Sequence, residues 1–199
     1  MKRFILLIIT VFIFENQSLA VTYNSNPKIF VTELVNDAIK ILSDKSTSAE
    51  KKSASIEKIA LENVDIDALG MYTLGELRKT LDENTLKNYK ILFEKYFLKS
   101  LTSRLTDYSS NRFEVTSEEQ KSSNYTIVKS RIPESSNAPE MKIDWRIYTK
   151  DPLKPLIRDL IVEGLSLART QKEEFASILN SNNNDINALL DKLEEFVSK

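Results

Sequence analysis

The sequence predicts an α+β domain: helices, then an antiparallel meander of four strands, then helices again, with the twisted sheet covered on its apolar face. Three observations carry that expectation. Apolar residues recur at three- and four-residue steps from Phe30 to Leu105 and again from Phe175 to Phe196, whereas between Arg112 and Glu163 the period shortens to two. The joints between the alternating runs are short and polar, which favours antiparallel neighbours with one wet face. Only three glycines occur in 199 residues, and one of them, Gly164, stands where the strand-like run Ile157 to Val162 gives way to a helical pattern.

Taken in order, the chain opens on Lys2 and Arg3, an apolar run from Phe4 to Phe14 and the small-x-small triplet Ser18-Leu19-Ala20, the layout of an export signal cleaved after Ala20. The apolar run is too short to span a bilayer, which needs about 20 residues. Residues 21–199 then form a single domain. Asn26 as N-cap and Pro27 at the first helical position start a helix to about Leu42, with Phe30, Leu34, Ala38, Ile41 and Leu42 on one face. Thr47-Ser48-Ala49-Glu50 fits a capping box for a second helix, striped by Ile56, Ile59 and Ala60. Asp65 caps a short third helix that Gly75 ends.

Thr80-Leu81-Asp82-Glu83 reads as another capping box, opening a long, half-buried helix. Leu86, Tyr89, Phe93, Phe97, Leu101 and Leu105 climb one of its faces, and Leu92, Tyr96 and Tyr108 widen that face. Strands are expected near Arg112–Ser117, Asn124–Ile132, Met141–Thr149 and Leu156–Glu163. In the third, Met141, Ile143, Trp145 and Ile147 face one way and Lys142, Asp144, Arg146 and Tyr148 the other. Two helices close the chain, the first carrying Phe175, Ile178 and Leu179, the second Ile186, Leu189, Leu190, Leu193 and Phe196.

Composition removes several function classes. A formal net charge of −1 suggests neither a nucleic-acid binder nor a polybasic membrane binder. Without cysteine there is no disulfide and no acylated lipoprotein anchor, and without histidine or cysteine there is no Ser-His or Cys-His nucleophile system and no Cys/His zinc site. Asp159 and Glu163, four residues apart and followed by Ser166, read either as an acid/base pair or as a structural set in which Glu163 or Ser166 satisfies the backbone where a strand breaks into a helix, with Ser166 as a candidate N-cap. The second reading is favoured. Lys129, Arg131, Lys142 and Arg146 read as a solvated sheet face.

The segments Val64-Asp65-Ile66 and Leu74-Gly75, the aromatic helix, the meander and the motif formed by Asp159, Glu163, Gly164, Ser166 and Leu167 follow one another behind an export signal. That ordered set, from roughly Asn63 to Phe196, resembles the MlaC family of periplasmic phospholipid-binding proteins, also called toluene-tolerance proteins. Departures from the family pattern are Pro155 in place of a tryptophan, Leu101 in place of a tyrosine, and Gln171-Lys172 in place of Tyr-Arg. The resemblance implies a curved sheet and helices enclosing an apolar cavity for acyl chains. It implies a soluble periplasmic, non-catalytic carrier that moves phospholipid between inner and outer membranes, with transient membrane contact, bound phospholipid as cargo and no cofactor. Its implied partners are an inner-membrane ABC transporter complex and an outer-membrane lipoprotein complex of the Mla type.

On that basis the candidate lipid-binding residues are Phe93, Phe97 and Leu101 from the long helix with Val115, Ile143, Trp145 and Leu160 from the sheet. Roughly thirty methylenes at about 0.8 kcal/mol each hold a phospholipid in its membrane by over ~20 kcal/mol, so free diffusion through water is negligible. A carrier need only offer a cavity about as apolar as the bilayer. Two other classes stay open: a periplasmic adaptor or chaperone-like binder without lipid, and a small-molecule enzyme on a cone-shaped α+β scaffold, which requires convergent polar groups in the cavity.

Overall fold

A computed structural model describes residues 22–105, 112–136 and 139–199. The export signal, Tyr108 and the Ser109-Ser110-Asn111 joint lie outside the described residues. The first helix, α1 (Pro27–Ser43), starts as expected: Pro27 occupies the first turn and the Asn26 side chain accepts from the Ile29 amide at 3.0 Å. In α2 (Ala49–Asn63) the cap is Ser48 rather than Thr47, whose hydroxyl instead donates to Asp44 at 2.7 Å. Asp65 caps α3 (Ile66–Thr73), and Gly75, at φ 57°, supplies the left-handed residue that ends it and opens a 3₁₀ turn over Gly75–Lys79.

The long helix α4 (Glu83–Leu105) is also capped by a residue other than the expected one, two positions further on. Asp82, not Thr80, accepts from the amides of Asn84 at 2.9 Å and Thr85 at 3.0 Å, while the Thr80 hydroxyl closes the preceding 3₁₀ turn on the Leu77 carbonyl. Both capping boxes put a good cap near another good cap, and local geometry chose the second.

The sheet has strand order β1 (Glu114–Ser122), β2 (Tyr125–Ile132), β3 (Met141–Tyr148), β4 (Leu156–Val162) and β5 (Leu165–Ser166), each antiparallel to its neighbour. Two differences from expectation stand out. The edge strand β1 continues to Ser122 through a polar run that shows no alternation, because it is held by backbone pairing to β2 with its side chains almost all in solvent. A fifth strand, two residues long, follows a tight turn in which Glu163 (φ 49°) and Gly164 (φ 83°) both adopt positive φ, the requirement of a type I′ hairpin. The chain therefore does not pivot from strand to helix at Gly164. It reverses there, and α5 (Leu167–Ser181) begins three residues later with Ser166 as N-cap. The last helix is α6 (Ile186–Ser198), capped by Asp185.

Two apolar cores result. In one, Phe30, Val31, Leu34 and Val35 of α1 lie on Val128, Trp145, Ile147 and Ile157 of the sheet. In the other, Tyr89 and Phe93 of α4 pack with Phe175 and Leu179 of α5 and Leu189, Leu190 and Leu193 of α6. Val64 touches both, at the point where it bridges to Ile157 and the Asp65 amide donates to the Ile157 carbonyl at 2.9 Å.

Candidate binding cavity

Between the two cores lies a cavity of about 380 Å³. That volume falls within the range of roughly 300–1,000 Å³ typical of small-molecule pockets. Its floor is the apolar face of the sheet, with Ile143 and Trp145 of β3 and Ile157 and Leu160 of β4. Its walls are Leu34, Val35 and Ile39 of α1, Ile56 and Ile59 of α2, and Phe93, Phe97 and Leu101 of α4. The period of two along β3 and of three to four along the helices turns these side chains onto facing surfaces, and a register shift in the β3–β4 pairing, between Arg146 and Ile147, puts Ile157 and Leu160 on the same face as Ile147 and Trp145.

Six of the seven residues selected from sequence, Phe93, Phe97, Leu101, Ile143, Trp145 and Leu160, border this space. Val115 is not among the lining residues; it sits half-buried against the sheet core, because β1 is the outer strand of the meander. What sequence reasoning missed is the share contributed by α1 and α2. Their apolar stripes were legible, but a stripe does not say whether it meets another side chain or open space.

The Trp145 ring can face apolar space because its one polar atom is satisfied from behind. Its indole nitrogen donates to the Ser130 hydroxyl at 2.9 Å, which in turn donates to the Ile143 carbonyl at 2.8 Å. Phe113 meets the same ring edge-on, with centroids 6.1 Å apart. Polar side chains gather at the rim, where Arg104, Thr170 and Glu174 are exposed yet border the cavity. The Tyr96 hydroxyl donates to Gln171 at 2.8 Å there, and burial, reinforced by the Glu174 carboxylate, raises its pKa, so it remains a neutral donor.

One carboxylate lines the cavity from a buried position. Asp159 accepts from the Ser166 hydroxyl at 2.6 Å and the Ala168 amide at 3.0 Å, with the Arg146 guanidinium at 3.5 Å. Glu163 instead turns to the Lys142 backbone amide. The two carboxylates are not brought together as an acid/base pair; Ser166 caps α5 as expected, and Asp159, to which sequence gave no such role, secures the same helix start. Among the described residues no group of three or more His, Cys, Asp or Glu is placed to hold a metal ion.

The model of the MlaC protein family matches residues 32–195. The chain belongs to the MlaC family. A solved structure of a phospholipid-binding protein from Ralstonia solanacearum, in complex with a phospholipid, is similar at a TM-score of 0.70 and 17% identity, covering 84% of this chain and 94% of that one. At that identity the likeness establishes a shared fold. No curated protein matches the chain. Among the described residues, no helix is long and apolar enough to cross a membrane.

Proposed function

We propose that this MlaC-family chain is a soluble periplasmic phospholipid carrier whose cavity holds acyl chains while the headgroup stays hydrated at the rim. The observation that carries this reading is the predominantly apolar cavity itself, whose buried polar lining, Thr73 and Asp159, is already taken up in hydrogen bonds within the protein. Left unfilled, the apolar lining of this cavity of about 380 Å³ meets water or void instead of hydrocarbon, at a cost of about 0.8 kcal/mol for each methylene equivalent left uncovered. Filling it with methylenes removes that cost and makes exchange with a bilayer nearly neutral.

On this reading the first twenty residues direct export and are removed, residues 21–199 act as one domain, and no cofactor or catalytic group is required. The carrier collects and delivers lipid between an inner-membrane ABC transporter complex and an outer-membrane lipoprotein complex of the Mla type, touching membranes only transiently. Phe93, Phe97, Leu101, Ile143, Trp145 and Leu160 are the proposed lipid contacts.

Organic extraction of the purified protein followed by mass spectrometry tests it. Phospholipid should be recovered in near-stoichiometric amount; protein free of lipid, or holding a small polar metabolite, sinks the carrier reading in favour of an adaptor or an enzyme. Ile143→Asp should empty the cavity while leaving the circular dichroism spectrum intact, since an unpaired charge beside acyl chains costs several kcal/mol.

A further inference from the structure

A second recess, of about 350 Å³, lies at the junction of α3, the 3₁₀ turn and the solvent-facing side of the sheet. It is separated from the apolar cavity by side chains common to both, Leu69 and Ala168. Its chemistry is the opposite. Three of its nine lining residues are arginines from three different elements, Arg78, Arg146 and Arg158, and no Asp or Glu lines the space itself, the Asp65 and Asp159 carboxylates lying behind Arg158 and Arg146.

The three guanidiniums are not equally free. Arg158 is built in: it donates through Nε to Asp65 at 2.8 Å and through Nη1 to the Tyr125 hydroxyl at 2.7 Å, and its head lies 3.4 Å from the centre of the Tyr148 ring. Arg146 has only a long contact, 3.5 Å, to Asp159, whose oxygens are already taken by Ser166 and Ala168. Arg78 donates once, to the Met71 carbonyl at 3.2 Å, and no carboxylate is paired with it among the described residues. Lys172 stands close by, with its ammonium 5.0 Å from the centre of the Tyr72 ring. Glu76 is the nearby acid on the 3₁₀ turn, and it is engaged by Lys79 at 2.6 Å.

Concave sites that gather several guanidiniums hold oxyanions, because the planar fork offers paired N–H donors to two oxygens of one phosphate. We propose that this recess binds a phosphate group, with Arg78 and Arg146 as the ligating residues and Arg158 as the fixed cation behind them. Two sources share that chemistry: free phosphate, and the phosphate of a lipid headgroup. The free-phosphate form stands independently of the carrier reading above.

Calorimetric titration of the purified protein in a phosphate-free buffer of low ionic strength separates the sources. The probes are inorganic phosphate, dihexanoyl phosphatidylglycerol, and dihexanoylglycerol, which lacks the phosphate. Loss of two charge-assisted donors in Arg78→Gln/Arg146→Gln should weaken a phosphate-bearing probe by about tenfold or more. If inorganic phosphate binds and is weakened in the variant, the source is free phosphate. If only the phosphatidylglycerol is weakened, with dihexanoylglycerol unchanged, the source is the lipid headgroup. The Nε–H resonances of Arg78 and Arg146 should also shift in the unaltered protein on adding the bound probe, which keeps the test valid even where the variant is unstable. Equal affinity of variant and unaltered protein for both phosphate-bearing probes, or arginine resonances that do not move, overturns the proposal.

Discussion

The helical core and the sheet core each contain nine buried apolar residues among those described, yet they meet the cavity very differently. Four from the sheet core, Leu34, Val35, Trp145 and Ile157, border the open space; from the helical core only Phe93 does. The helical core closes on itself, with Leu189 of α6 fully buried and Phe93 set edge-on to Phe175 at 6.2 Å. The sheet core has one finished side and one side that depends on what occupies the cavity. On the carrier reading proposed above this is a division of labour: one core supports the fold whatever the cavity holds, and the other couples stability to occupancy.

The sharpest way to break this comparison is a pair of truncations. Leu189→Ala, in the closed core, should cost about 2–5 kcal/mol, whereas Phe97→Ala, on the cavity wall, should cost less although it deletes more atoms, because part of its ring already faces a void. Urea melts of the lipid-free protein measure both; an equal or greater loss for Phe97→Ala removes the distinction.

Gly70→Ala probes the residue that belongs to both regions. An added Cβ would lie 2.8 Å from the Phe93 ring, and that ring is hemmed in by Tyr89, Phe97 and Phe175, so it can retreat only toward the cavity. Overpacking of about 1–3 kcal/mol is expected, together with a lower lipid content by mass spectrometry. Unchanged stability and unchanged lipid content would mean that the ring has room elsewhere.

The helical core should also declare itself at high pH. Tyr89 is fully buried, with its hydroxyl at 2.7 Å from that of Thr73, and burial raises its pKa well above the ordinary phenol range. A raised folded-state value means that its contribution is complete below the unfolded pKa of about 10 and is lost as pH rises above it, by about 1.4 kcal/mol per pH unit. Tyr89→Phe should flatten that part of the stability profile between pH 10 and 11.5; an identical slope would show that Tyr89 ionises without unfolding.

The smallest effect is expected at Gly164, remote from either core. With φ at 83° and nothing within 4 Å of an added Cβ, Gly164→Ala meets backbone strain and no clash. About 1 kcal/mol, or roughly 2–4 °C in melting temperature, should be lost. A melting temperature that stays level or rises would mean that the turn relaxes to a geometry that needs no glycine.

Much of the fold was legible because its determinants are local. Asn26-Pro27, Asp65, Gly75 and Ser166 carry their capping roles in their own side chains and φ preferences, and the alternation from Met141 to Tyr148 shows which residues share a sheet face. The errors were local too. Two nearby caps competed at Thr47/Ser48 and at Thr80/Asp82, and the polar edge strand from Ser117 to Ser122 leaves no hydrophobic period to read.

Sequence alone determined that apolar stripes from α4 and the sheet would face inward, which is why six of the seven chosen residues lie on the cavity. Only the tertiary structure decided that these stripes stop short of one another, that α1 and α2 complete the wall, and that Val115 belongs to the core instead. It also decided that Arg146, read from sequence as part of a solvated sheet face, shares one recess with Arg78 and Arg158. The physical reason is the same in each case. Periodicity specifies the direction in which a side chain leaves its own backbone, whereas the distance to the opposite surface is set by how separate elements dock, and no residue encodes that distance by itself.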